Sequence, residues 1–251
     1  MSKPFASVWL RPQRQPRTSG LRREQIVAAA VELLDAEGLD ALSMRKLGAK
    51  LGAGATSLYW YVANKDELLE LALDEAWGEV GVPDPAQASW REVATTMAYR
   101  LRATMLAHPW MIALIGRLPS VGPHSFALAD GMRRTFLRAG FTGMDVHFAN
   151  SALISYVLGQ VVPDVALTQA GGRIEDYDFD TVKGALTELA GADYPDLVAE
   201  YDAAGSRDPA TARALAFDFG LICVLDGLNA RLAGDPKTPG PLPDSVRESA
   251  S

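Results

Sequence analysis

Residues 42–73 read LSMRKLGAKLGAGATSLYWYVANKDELLELAL, and this stretch decides the fold of the N-terminal part of the chain. Ser43 is suited to cap a short helix, which the glycine-containing segment 52–54 then breaks. A second short helix is expected to begin near Thr56 or Ser57. Two short helices joined by a glycine-containing turn are typical of a helix-turn-helix, so the sequence predicts one here.

The helical pattern continues on both sides of this stretch. Upstream, Gly38 offers a left-handed stop to a first helix whose apolar residues recur at helical spacing, namely Ile26, Ala30, Leu33 and Leu34. Downstream, Asn64 and Glu67 form a capping-box pattern at the start of a longer fourth helix, expected from about Lys65 to Val80. The sequence therefore predicts a three-helix domain over residues 21–65.

The outer face of the predicted helix-turn-helix carries groups that suit DNA. Arg45 and Lys46 face outward from the first short helix, because the inward positions belong to apolar residues. In the second helix Tyr59, Trp60 and Tyr61 are consecutive, and so short a segment has no room to bury all three. A recognition helix needs side chains for base edges and for phosphates, and this face supplies both.

The charge of the chain is divided unevenly. The net charge is −7, which on its own argues against a nucleic-acid partner. Residues 1–65, however, carry 10 Lys+Arg and 5 Asp+Glu, whereas the remainder carries 14 and 26. A basic head thus precedes an acidic body, and only the head has the charge that phosphates attract.

These residues bear a strong resemblance to a known family. The segment from about 22 to 75, with its capped helix, glycine turn, Leu-Tyr-Trp recognition helix and Asn-Lys-Asp-Glu-Leu-Leu opening of helix four, resembles the DNA-binding segment of TetR-family regulators. The C-terminal run AFDFGLICVLDGLNARL, residues 216–232, resembles the last helix of the tetracycline-repressor branch. That branch dimerises through a four-helix bundle, so the resemblance implies a homodimer on a palindromic operator.

The resemblance also implies roles for individual residues. Arg45 is expected to approach a base edge, for which a guanine suits its bidentate guanidinium, and Thr56, Ser57 and Tyr61 occupy recognition positions. Tyr59 and Trp60 are expected to clamp phosphates and to pack the recognition helix. Lys65 is expected to contact a phosphate, and Lys46 joins the DNA-binding set. Ala55 and Thr56 replace longer side chains seen in some relatives, which leaves more of the recognition to DNA shape.

The rest of the chain predicts an all-α body, without a convincing alternating strand. Residues 66–233 are assigned to an effector-binding and dimerisation domain, residues 1–20 to a flexible basic arm and residues 234–251 to a flexible tail. The arm either enters a DNA groove or is simply solvated. The periodic segments in the body are Ser89–Ala107, Pro109–Leu118, Ser125–Ala139, Asp145–Gln169, Thr181–Leu189, Asp196–Ala204 and Ala210–Leu232.

A small-molecule pocket needs an apolar lining with a few polar groups. His108, at a helix junction, is the first polar candidate, and His147 and Asn150 share a helical face. The apolar candidates, each of which could equally be core, are Met105, Trp110, Met111, Phe126 and Phe136. No set of ligands for a chelated metal is found, and no cofactor is expected. By analogy with the family, the effector is expected to be hydrophobic or aromatic.

Other classes of protein find little support in the sequence. No stretch has the composition of a membrane span or secretory signal, and Cys223, the single cysteine, is expected to be a buried apolar residue in a cytoplasmic protein. No HExxH, GxSxG or P-loop motif occurs, so an enzyme is not expected. Two alternatives stay open, a helical carrier or enzyme with a vestigial DNA-binding head, and an architectural DNA binder without a ligand. The protein is expected to repress transcription, and activation stays open as an alternative.

Overall fold

A computed structural model describes residues 7–10, 21–169, 179–190, 193–204 and 209–234. No β-strand occurs in those ranges, so the all-α prediction is confirmed. None of the helices described there is long and apolar enough to cross a membrane. The α-helices are α1 (Arg23–Ala41), α2 (Met44–Lys50), α3 (Ala55–Leu58), α4 (Lys65–Val80), α5 (Trp90–Ala107), α6 (Pro123–Ala139), α7 (Met144–Gln169), α8 (Phe179–Ala190), α9 (Pro195–Ala204) and α10 (Pro209–Leu232).

The capping predictions for the N-terminal helices are confirmed with two differences. The Ser43 and Asn64 side chains accept hydrogen bonds from the backbone N–H groups of Lys46 and Glu67, at 3.2 and 2.9 Å. The Glu67 carboxylate accepts from Ala63 N–H rather than from Asn64 N–H. Gly38 has a φ of +76°, as expected of a stop, but helical turns resume beyond it and α1 runs on to Ala41 with a kink.

Residues 7–10 differ from the flexible arm expected over residues 1–20. Val8–Leu10 form a 3-10 turn, and Val8 is buried. The turn is fixed by the buried Glu70 carboxylate of α4, which accepts from Val8 N–H at 3.0 Å and from the Ser7 hydroxyl. A buried carboxylate needs such donors, and these two lie in the N-terminal segment, so the segment is held on α4.

The predicted helix over Pro109–Leu118 is wrong beyond its first turn. Pro109–Met111 form a single 3-10 turn, and the chain then turns again, with an isolated bridge between Ile115 and Leu118. Tertiary packing explains the difference, because the Trp110, Met111 and Leu114 side chains are all buried in the core of the N-terminal domain.

Two hydrophobic cores meet along α4. The first joins α1–α3 to the N-terminal part of α4 as far as Ala76, and to the 3-10 turn at Trp110. The second lies between α5, α6, α7 and α10, and begins with Val80 at the end of α4. Trp77 packs against both cores. Helix α4 is therefore shared by the head (residues 21–65) and the body.

Helix α4 is also joined to α6 by a buried carboxylate. Asp74 of α4 is buried at the N-terminus of α6, where it accepts from the Ser125 N–H at 2.9 Å and the Ser125 hydroxyl at 2.8 Å. The His124 N–H donates to its other oxygen at 3.2 Å. The first N–H groups of a helix lack partners within the helix, so Asp74 caps α6 from a neighbouring element.

Candidate nucleic-acid interface

The helix-turn-helix is held together by close backbone packing at its turn. The N–H of Ala53 donates to the carbonyl of Gly48 at 2.8 Å. A Cβ atom on Gly48 would lie 2.6 Å from the carbonyl oxygen of Ala53 and 3.2 Å from the nitrogen of Ala55. The close approach of the turn to α2 therefore requires glycine at position 48, because any side chain there would collide with the backbone of the turn.

The substitution Gly48→Ala is expected to lower the free energy of unfolding by about 1–3 kcal/mol, because the methyl group meets backbone atoms that have little room to move. The matched control is Gly54→Ala, since a Cβ at Gly54 meets nothing within 4 Å and the residue has a φ of −69°. Chemical denaturation of both variants tests the prediction. Equal stability of the two variants would contradict it.

The recognition element presents an exposed face. Arg45 on α2 and Thr56 and Ser57 on α3 are exposed. Tyr59 and Trp60, which follow α3 in a turn, are 50% and 39% exposed. The structure thus brings together five of the eight residues predicted to bind DNA, on one short segment around the turn. Large aromatic side chains left exposed beside a cation and two hydroxyls are suited to phosphates and base edges.

The other three predicted residues are engaged within the chain. The Lys46 ammonium pairs with Glu37 of α1, and the Lys65 ammonium donates to the carbonyl of Leu39 at 2.8 Å. The Tyr61 hydroxyl donates to the carbonyl of Leu21, where α1 is about to begin. An ammonium has three donors, so Lys46 and Lys65 retain donors for a phosphate. Tyr61, in contrast, braces the recognition segment against α1.

The eight residues predicted to line an effector pocket lie in different parts of the described structure. Met105 and Phe136 are fully buried in the core of the body, whereas Trp110 and Met111 belong to the core of the head. His108 lies between the two cores and binds carboxylates on both sides. Packing against different partners separates residues that are close in sequence, and sequence alone did not reveal those partners.

The remaining three residues lie at the surface of the body or near it. Phe126 is 59% exposed, on the outer face of α6, and His147 is also exposed. Asn150 is half-buried on α7, and its Oδ1 atom has no hydrogen-bond partner among the described residues. A buried carbonyl oxygen without a donor is costly, so among the eight Asn150 retains the best case for a polar contact with a ligand.

A cavity that the sequence did not indicate lies between α4 and α6. Its volume is about 460 Å³, and the loop after α4 forms one wall. Both apolar and polar groups line it, among them Trp77, Val82, Pro83, Pro85, His124, Leu128 and Arg134. The indole N–H of Trp77 is buried and has no partner in the ranges described. Only the packing of α4 on α6 brings these residues together, and no spacing in the sequence signals it.

Two family models match the chain. The model described as "Bacterial regulatory proteins, tetR family" matches residues 26–72, which cover the helix-turn-helix and half of α4. The model described as "Tetracyclin repressor-like, C-terminal domain" matches residues 82–232, which cover most of the body. Together they cover most of the head and most of the body.

Individual relatives agree with these models. The chain is 40% identical over 203 residues to an HTH-type transcriptional regulator of Saccharopolyspora erythraea, with 79% of this chain and 83% of the relative covered. It is 34% identical over 231 residues to the HTH-type transcriptional repressor DrrR1 of Streptomyces coeruleorubidus, with 89% and 82% covered. The crystal structure of the TetR family protein ActR of Streptomyces coelicolor in complex with actinorhodin is similar, with 30% identity, a TM-score of 0.72, and 88% of this chain and 100% of that chain covered.

Proposed function

The chain belongs to the TetR family of ligand-responsive transcriptional repressors, and we propose that two copies of it bind one palindromic operator and leave it when a small molecule binds. The observation that carries the proposal is the exposed recognition segment, with Arg45, Thr56, Ser57, Tyr59 and Trp60. It lies within residues 1–65, which carry 10 Lys+Arg and 5 Asp+Glu. We expect the protein to act in the cytoplasm and not to be an enzyme.

DNase I footprinting of the DNA upstream of the chain's own gene tests the proposal. The expected result is a protected region with two-fold symmetry, whose half-sites are about 34 Å, one helical turn, apart or a multiple of that distance. A helical carrier or enzyme with a vestigial head would protect nothing at any protein concentration. An architectural DNA binder would protect DNA without regard to sequence.

The proposed dimer interface is an apolar stripe on α7 and α10. Phe219 on α10 is 72% exposed, and Leu215 and Ile222 lie at i−4 and i+3 on the same face. Phe148 and Val162 on α7 are exposed as well, and α7 packs against α10. Contiguous exposed apolar side chains at this spacing indicate a helical interface. Cys223, expected to be buried, is instead exposed beside Ile222, because this face of α10 points away from the core.

The substitution Phe219→Ala is expected to weaken dimerisation about tenfold, since buried aromatic side chains dominate interface energetics. The matched control is Phe126→Ala, because Phe126 is 59% exposed on α6, outside the stripe. Sedimentation equilibrium of the two full-length variants measures the dissociation constants. An unchanged constant for Phe219→Ala, or an equal loss in the control, would argue against this interface.

The proposed effector is a planar aromatic molecule with polar substituents. Two observations support it, namely the ActR complex with actinorhodin and the apolar core of the body, in which Asn150 offers a buried oxygen without a donor. Actinorhodin and tetracycline serve as probes. Each is added to the preformed complex of protein and operator, and the release of labelled DNA is followed by anisotropy.

Release of the operator by actinorhodin would support an aromatic effector, provided that the same concentration leaves an unrelated DNA-binding protein on its own site. If the protein stays on the operator in the presence of both probes, this chemical class is contradicted. The variant Asn150→Ala, which removes the unpartnered oxygen, is expected to need a higher concentration of the active probe. The variant His147→Ala is the control, because His147 lies on the same helix as Asn150 but its side chain is exposed.

The proposed route from effector to DNA runs along α4. This helix starts beside the recognition segment and packs into the core of the head from Leu68 to Ala76. It is fixed to α6 by Asp74. An effector that moves α6 therefore moves α4 and with it the head. A ligand shifts such an equilibrium only by its difference in affinity for the two arrangements.

A further inference from the structure

His108 lies at the end of α5, where the head and the body meet. Its ring Nδ1 is 2.7 Å from the Asp35 Oδ1 atom of α1, and its ring Nε2 is 3.0 Å from the Glu79 Oε2 atom of α4. The side chain is only 8% exposed. One buried imidazole therefore joins a helix of the head to the last turn of α4.

The two contacts together need a proton on each ring nitrogen. A neutral imidazole has one N–H donor and one lone pair, whereas an ionised carboxylate only accepts hydrogen bonds. With a neutral ring, one of the two contacts would set a lone pair against a carboxylate oxygen. The geometry around His108 is therefore that of an imidazolium held between two carboxylates.

We propose that His108, Asp35 and Glu79 form a proton-controlled clasp between the head and the body, closed when the ring carries two protons and half open when it carries one. The clasp itself stands on the geometry of these three residues. Its effect on DNA binding rests on the function proposed above.

The electrostatic surroundings favour the closed form. Burial of the imidazole lowers its pKa, but the hydrogen bonds to Asp35 and Glu79 and the charges of these two groups more than offset that effect, so the pKa of His108 is raised above its usual value. The charged groups that act on the ring are Asp35 from α1 and Glu79 from α4. The Trp110 indole of the 3-10 turn, whose ring centroid lies 5.8 Å from that of the imidazole, is uncharged.

The contact with Glu79 is the one expected to open. Asp35 has the shorter contact, and the same Asp35 oxygen also accepts from the Trp110 indole N–H at 2.7 Å. The Glu79 side chain is 54% exposed, so water can solvate it once it leaves the ring. The clasp stabilises the fold at a pH below about 6.5, the usual pKa of histidine, and this stabilisation is lost as the pH rises through the raised value.

Nitrogen-15 NMR of the full-length protein, labelled at histidine, tests the clasp directly. The chain has three histidines, and the variants His108→Gln and His147→Gln assign their signals. At about pH 6.5, where histidine normally titrates, both ring nitrogens of His108 are expected to show the shifts of an imidazolium. A neutral tautomer of His108 at that pH would overturn the proposal.

Operator affinity across pH tests the regulatory consequence. A closed clasp fixes the heads relative to the body, so the wild-type protein is expected to bind operator about fivefold more weakly at about pH 8.5 than at about pH 6. The variant Glu79→Gln is expected to lose most of this difference, because an amide can donate to a neutral ring and the contact no longer needs the second proton. The control His147→Gln should behave like the wild type.

Equal pH dependence in the wild type and in Glu79→Gln would overturn the regulatory role. The two experiments can fail separately. An absence of operator binding at every pH would contradict the proposed function, whereas the protonation state of His108 in the NMR spectrum decides whether the clasp exists. Because the Glu79 side chain is 54% exposed and the His108 side chain only 8%, Glu79→Gln perturbs the fold less than a change at His108 does.

Discussion

Replacing Asp74 with alanine is expected to lower the free energy of unfolding by about 3 kcal/mol, the usual scale for removing one partner from a buried charged network. The Asp74 carboxylate accepts hydrogen bonds from the N–H groups of His124 and Ser125 and from the Ser125 hydroxyl. Its loss leaves the N-terminus of α6 uncapped and a polar cavity against α4. Chemical denaturation, with the same denaturant slope for both proteins, measures the change.

The matched control for this prediction is Asp66→Ala. Asp66 lies on the same helix but its side chain is 67% exposed, and its partner Arg117 is 3.5 Å away, so a loss of less than about 1 kcal/mol is expected. Gly122→Ala provides an independent check, because a Cβ at Gly122 would lie 2.2 Å from the Asp74 Cγ atom and displace the same carboxylate. Similar stability for Asp74→Ala and Asp66→Ala would refute the capping role.

Replacing Arg45 with alanine is expected to weaken operator binding about 100-fold, because a bidentate contact to guanine contributes about 1–3 kcal/mol and a dimer loses two of them. Arg45 belongs to the recognition segment and is exposed on α2, so its removal leaves the core of the head intact. Binding to the footprinted operator, measured by anisotropy, gives the ratio of the two dissociation constants.

Arg138→Ala is the control for charge alone. Arg138 is exposed near the end of α6, on the acidic body, and its removal changes the net charge by the same amount. Its operator affinity is expected to stay within about twofold of the wild type, because Arg138 lies outside the helix-turn-helix and salt screens exposed charges that are distant from the DNA. Base-specific readout by Arg45 predicts a further difference, since Arg45→Ala should lose more affinity for the operator than for unrelated DNA of equal length.

The head of the molecule could be predicted from sequence because its signals are local. The caps at Ser43 and Asn64, the break after α2 and the apolar spacing of α1 each depend on a few neighbouring residues, and the structure has all of them. The exposed aromatic pair Tyr59 and Trp60 could be expected for the same reason, since a helix of four residues leaves no second face to bury them.

The body could not be predicted to the same depth because its important contacts are distant in sequence. Asp74 and Ser125 are 51 residues apart, and His108 and Asp35 are 73 apart. Nothing near His108 distinguishes a ligand-binding imidazole from a clasp between helices. Similarly, the segment Pro109–Leu118 has helical spacing, but burial of Trp110 and Leu114 in the head replaces the helix with turns.

The N-terminal segment shows how burial of one polar group can override local composition. Prolines and arginines around residues 1–20 favour a flexible arm, and the segment holds no carboxylate that could accept from the Ser7 hydroxyl. Glu70 supplies that partner from 63 residues away. The apolar residues Val8 and Trp9 were the available signal, because they pack against the core of the head once Glu70 fixes the turn.

Whether the protein is an operator-binding repressor is decided by its affinity, as the purified full-length chain, for its upstream DNA across salt concentrations. We expect specific binding that weakens linearly, on logarithmic axes, as salt rises from about 50 to 200 mM, since Lys and Arg on two heads displace counterions from several phosphates. We also expect the ratio of the affinity for operator to the affinity for scrambled DNA to be larger for the wild type than for Arg45→Ala. Affinity that is equal for both DNA sequences, or no binding even at low salt, would contradict the claim that this chain is an operator-binding repressor.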